Sequence, residues 1–162
     1  MSKFIKILLA VLILSGLFIF SVSAQTPQSQ EWTKADLQSI YVEYLRAEGY
    51  LPSIDVDGDI QFKVSGDNYF IIIDENDLQF FQIYMGFSLG SVAPENALNA
   101  ANFSNRRSKV VKVALSSDGN VASITAELLL KDPRDFIPVF SRAISLMRNA
   151  ESNFMGLLRE SM

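Results

Sequence analysis

From Trp32 onward the chain changes hydrophobic period several times, and each change marks an element. Between residues 34 and 48, Leu37, Ile40, Tyr41, Tyr44 and Leu45 recur at the spacing of one helical face. Thr33 offers an N-cap, with Asp36 three residues on as a variant of the capping box, and Trp32 is placed to pack on Leu37 as a hydrophobic staple. Gly49 stands where a left-handed residue ends a helix, so a helix is predicted over Lys34 to Glu48. The period then falls to two. Asp57-Gly58 precedes a strand from Ile60 to Val64, Gly66-Asp67 separates it from Tyr69 to Ile73, and Glu75-Asn76 separates that from Leu78 to Met85. With Gly66-Asp67 as the whole loop, Ile60 faces Ile73, Phe62 faces Ile71 and Val64 faces Tyr69. The same counting across the next turn sets Ile73 on Leu78 and Ile71 on Phe80, giving one continuous apolar face.

The other face of this meander is expected to carry Phe70, Ile72, Phe81, Ile83 and Met85, with Phe70 opposite Phe81. That many apolar side chains need a cover. A β-bulge near Phe80 or the chain's own helices would supply one internally, and a dimer or protein-partner surface would supply one externally. Further on, Pro94 opens a short helix with Ala97, Leu98 and Ala101 inward. Lys109 to Leu115 and Val121 to Leu130 form a hairpin around Asp118-Gly119, pairing Leu115 with Ala122, Val113 with Ile124 and Val111 with Ala126. A last helix begins near Asp135, since Pro138 fits a first turn, and carries Phe136, Ile137, Phe140, Ile144 and Met147 on one side. The order α-β-β-β-α-β-β-α with hairpin connections makes this a two-layer α+β domain with antiparallel strands, spanning residues 33–162 without a second domain.

Composition adds a leader and removes several chemistries. Lys3 and Lys6, the apolar run from Ile7 to Phe20, and Val22-Ser23-Ala24 read as a signal peptide over residues 1–24, cut after Ala24; a retained anchor is the alternative. Residues 25–32 form a short polar tail. The expected location is periplasmic or extracellular, with no stable membrane insertion after cleavage. Losing two lysines and no acid leaves 12 Lys+Arg against 18 Asp+Glu, a net −6 that argues against nucleic-acid binding. The absence of Cys and His excludes disulfides, thiol chemistry and the usual zinc and haem ligands.

The residues also carry a family resemblance. Gly49-Tyr50 ending a helix, Asp55-Val56-Asp57-Gly58-Asp59-Ile60 opening a strand, Tyr69-Phe70-Ile71-Ile72-Ile73, a helix with Asn99 and Asn102, Lys109 with Lys112, the Asp118-Gly119 hairpin and a Phe-rich last helix follow in the order of a YbjN-type domain, which the chain resembles over nearly its whole mature length. The resemblance implies the fold of small acidic dimeric chaperones of type III secretion, in a family named for bacterial sensory-transduction regulation. It implies no catalytic residues.

Candidate chemistry is confined to acids at turns. Asp55, Asp57 and Asp59 alternate like the start of an EF-hand loop, but its sixth and twelfth positions would be Ile60 and Gly66, so that reading fails. A looser calcium site remains as the alternative, because the expected register brings Asp59 opposite Asp74, beside Glu75 and Asp77. Turn formation accounts for the same six acids. Arg106, Arg107, Lys109 and Lys112 form the basic concentration, with Lys109 and Lys112 on opposite strand faces. No pair of groups is selected for acid-base work, and an enzyme is not expected. The expectation is a non-catalytic exported domain that binds a protein partner, or itself as a homodimer, through Phe70, Ile72, Phe81, Ile83 and Met85; the alternative is an envelope small-ligand or calcium-binding module.

Overall fold

The computed structural model describes residues 31–160. The expected leader, and the polar tail up to Gln30, lie outside the described residues. Helix α1 (Lys34–Ala47) is followed by β1 (Ser53–Ile54), β2 (Ile60–Val64), β3 (Asp67–Ile73) and β4 (Phe80–Ser88). Helix α2 (Pro94–Arg107), strands β5 (Val111–Leu115) and β6 (Val121–Leu129), a 3₁₀ turn over Pro133–Phe136 and helix α3 (Ile137–Glu160) complete the chain. All pairings are antiparallel, in one six-stranded sheet of order β1-β2-β3-β4-β6-β5. This is the expected two-layer α+β order, with the two-residue β1 added at one edge.

Local signals fix the ends of α1. The Thr33 hydroxyl accepts from the Asp36 N–H at 3.2 Å, and the Asp36 carboxylate accepts from the Thr33 N–H at 2.9 Å, closing the capping box. At the other end Gly49 takes φ +87°; its N–H bonds the Arg46 carbonyl and the Tyr50 N–H bonds the Leu45 carbonyl, a Schellman close.

The register of the meander differs from the expected one in two ways. The β2–β3 loop is Ser65-Gly66, with φ +53° and +100°, so Ile60 pairs with Ile71 and Phe62 with Tyr69. Positive φ at both loop positions is the twist a two-residue hairpin needs, and Asp67 becomes a strand residue. This slip is even and changes partners without changing faces. The β3–β4 connection instead runs through two successive turns, Asp77 N–H to Asp74 carbonyl and Phe80 N–H to Asp77 carbonyl, and pairs Ile71 with Ile83 and Ile73 with Phe81. That slip is odd, and an odd slip sends every side chain of β4 to the other face. Phe81, Ile83 and Met85 therefore join Ile71 and Ile73 in the core, and Phe70 pairs with Tyr84 rather than Phe81. No bulge is needed.

The covered face is an aromatic cluster. Phe136, fully buried, meets Tyr41, Tyr44, Phe81 and Phe140 with ring centroids 4.9, 4.7, 5.3 and 6.0 Å apart. Phe87 meets Phe154 of α3 at 5.9 Å. Helix α2 buries only small side chains, Ala97, Ala100, Ala101 and Ser104, so it can approach α3 closely; Leu98, expected inward, is 55% exposed. The Ser104 hydroxyl donates to the Ala150 carbonyl at 2.8 Å. Ile137, also expected inward, is exposed, whereas Phe136, Phe140, Ile144 and Met147 are buried as expected. The β5–β6 pairing of Leu115 with Ala122, Val113 with Ile124 and Val111 with Ala126 is as the sequence predicts.

Candidate functional site

Strand alternation leaves a second sheet face whose residues are half-buried or exposed. Reading across the strands, Gln61 pairs with Phe70, Phe70 with Tyr84, Tyr84 with Thr125, and Thr125 with Lys112. The next row holds Ile72, Gln82 and Glu127. The face thus has an apolar half, centred on Phe70, Ile72 and Tyr84, and a polar half. Phe70 and Tyr84 lie 6.2 Å apart between ring centroids. Gly86, next along β4 on the same side, leaves room for the tyrosine: a Cβ there would come within 3.0 Å of Tyr84 Cζ and collide with the hydroxyl. The Tyr84 ring therefore lies down along its own strand.

The polar half is organised around Glu127. Its Oε2 lies 2.7 Å from Lys112 Nζ, and its Oε1 accepts from Thr125 Oγ1 at 2.9 Å and Gln82 Nε2 at 3.1 Å. Partial burial pushes the Glu127 carboxyl up, but the lysine and the two hydrogen bonds outweigh it and hold the group below its ordinary value. The network is satisfied internally, so this half is fixed in place.

Of the five residues expected to share a binding face, the structure separates two from three. Phe70 and Ile72 are on the half-exposed face, whereas Phe81, Ile83 and Met85 are 1%, 0% and 3% exposed under the helices. Tyr84, which sequence reasoning missed, takes the place assigned to Phe81. Its signal was the Tyr84-x-Gly86 spacing, legible only once the register is known.

The six acids are dispersed into turns rather than gathered. Asp55 Oδ1 accepts the N–H groups of Asp57 and Asp59, Asp74 Oδ1 accepts that of Asn76, and Asp77 Oδ1 that of Gln79. Asp59 Oδ1 accepts the Ile73 N–H at 2.9 Å, and Glu75 pairs with Lys34, whose Nζ also bonds the Asp57 carbonyl. Among the described residues no group of three or more such side chains is placed to hold a metal ion. The basic residues are dispersed as well: Arg107 stacks on Phe103 at 3.7 Å, and Lys112 belongs to the Glu127 network. No described helix is long and apolar enough to cross a membrane.

A helix-covered antiparallel sheet in this order is the YbjN-like, secretion-chaperone-like α+β fold. The sequence matches no family model and no curated protein. Solved structures that share the fold include an uncharacterized protein from Methanothermobacter thermautotrophicus, 14% identical, TM-score 0.56, covering 77% of this chain and 98% of that one. A chain of the HopA1–SchA chaperone–effector complex is 10% identical with TM-score 0.53, over 80% of this chain and 99% of that one. YbjN from E. coli is 12% identical with TM-score 0.53, over 72% and 90%. At such identities the likeness is one of fold.

Proposed function

We propose that this chain is a non-catalytic, exported protein-binding domain of chaperone or adaptor type, which receives its partner on the half-exposed sheet face at Phe70, Ile72 and Tyr84. The observation that carries the reading is the apolar half of that face: an aromatic pair and an isoleucine, flanked by a rigid polar network. Apolar centres beside satisfied polar groups are the composition of protein interfaces. The fold shared with a chain of a chaperone–effector complex supports the same reading. Export rests on the leader pattern of residues 1–24.

The test is a photo-crosslinking residue placed at position 72, combined with Phe70→Asp. Crosslinked adducts, to a partner or to a second copy, are expected from the parent and lost in the Asp variant, with melting temperature nearly unchanged. Adduct formation indifferent to the Asp change would remove this face from the binding role. Light scattering across a concentration series then tells self-association from capture of a different protein.

A further inference from the structure

On the helix side of the sheet, the first half of α3 leaves a cleft of about 200 Å³ against β5 and β6. Its walls are almost wholly apolar: Val111, Ala126 and Leu128 from the strands, with Val139, Ala143 and Leu146 from the helix. Ala126 and Ala143 line it from opposite elements, and a longer side chain at either position would fill it. Two features of its lining are not those of a simple packing gap. Val110 is held at φ +66° and 57% exposed. A β-branched residue in that region is strained and must be enforced by its surroundings. Arg142 also lines the cleft, and no carboxylate, hydroxyl or ring among the described residues partners it. Arg142 is thus an unpaired cation at the rim of an apolar hollow.

We propose that this cleft is a second peptide-docking site, distinct from the half-exposed sheet face, which takes one apolar side chain of a partner segment whose adjoining carboxylate pairs with Arg142. The size argues for a single side chain. A dry cavity of about 150 Å³ holds a benzene ring, and small-molecule sites run roughly 300–1,000 Å³. The charge argues for the acid, because a guanidinium at an apolar rim binds a carboxylate better than one fully in water does.

The test is an amide-resolved NMR titration of the protein with short blocked peptides carrying Leu-Asp, Leu-Asn or Ala-Asp, and with benzoate as a free carboxylate. Leu-Asp is expected to shift the amides of Val111, Ala126 and Ala143 saturably, and Ala-Asp to leave them in place. Leu-Asn, and Leu-Asp on Arg142→Gln, are each expected to bind about three- to tenfold more weakly, the range for a charge-assisted bond at a partly exposed rim. Arg142 is exposed, so its variant keeps the fold; Ala143→Met, which fills the hollow, is expected to abolish binding and is read only if its spectrum stays native. Absence of saturable shifts at the cleft, indifference to Arg142→Gln, or shifts confined to Phe70, Ile72 and Tyr84 would overturn the assignment. Benzoate binding as tightly as the peptide would replace it with a small-carboxylate site.

Discussion

The two faces of the sheet are made by the same strands, yet they solve opposite problems. On the covered face Phe136 alone meets four aromatic rings, and Ile60, Ile71, Ile83 and Ile124 are fully buried. On the other face one glycine lets one tyrosine lie down, and a single glutamate gathers its neighbours. The covered face carries the hydrophobic stabilisation, so its residues are fixed by volume. The half-exposed face carries little of it, so its residues are free to be set by recognition.

The sharpest break of this contrast is Phe81→Asp against Phe70→Asp. An unpaired carboxylate in place of the buried Phe81 ring costs several kcal/mol and is expected to prevent folding, read as loss of near-ultraviolet dichroism. The same change at Phe70 is expected to leave a cooperative unfolding transition. If both variants unfold alike, the two faces are not different in kind.

A smaller effect belongs to Ser104→Ala, which leaves the buried Ala150 carbonyl without its side-chain donor; about 1–2 kcal/mol is expected by urea denaturation. Smaller again is Gly86→Ala on the half-exposed face. The added methyl must lift the Tyr84 ring, with a loss of about 1 kcal/mol or less and a measurable change in tyrosine fluorescence. An unchanged tyrosine signal would mean that the ring does not rest on Gly86.

The smallest effect is one of pH, at the β5–β6 turn. The Ser116 hydroxyl, the Asn120 backbone N–H and the Asn120 amide hold the Asp118 carboxyl at about 2, below its ordinary value. Its folded value lies below its unfolded one, so its contribution is whole above the ordinary carboxylate range and is lost as pH falls through about 2. Asp118→Asn is expected to flatten the acid side of the stability profile between pH 4 and pH 2; an unaltered slope would place the acid sensitivity elsewhere. Millimolar calcium is expected to leave the melting temperature where it is, because among the described residues no three acids are placed to share one ion. A rise would restore a cation site at the acidic turns.

How far the sequence could be read depended on how many registers its pattern allowed. In β5–β6, Val, Leu and Ile on one side alternate with Lys, Ser, Thr and Glu on the other, so only registers of one parity bury the apolar set, and the Asp118-Gly119 turn selects the pairing found. In β3 and β4, Phe70-Ile71-Ile72-Ile73 and Phe80-Phe81 are apolar on both sides, so registers of either parity bury an apolar set. Turn length then decides. The run from Asp74 to Gln79 folds as two turns through side-chain bonds that spacing alone does not reveal. The same degeneracy let Phe70 and Ile72 be placed on the half-exposed face correctly while Phe81, Ile83 and Met85 were placed there with them.

What the chain determined by itself was the Thr33 cap, the Gly49 close, the Asp118-Gly119 hairpin, the α+β order, and the lack of His and Cys. These follow from backbone conformation, hydrogen bonding within a few residues, and composition. Tertiary structure alone decided which face β4 shows, that Tyr84 rests over Gly86, and that Arg142 stands at a hollow between two alanines. The face that β4 shows and the hollow at Arg142 depend on the position of a partner element, and an odd shift at the β3–β4 turn is enough to reverse the first.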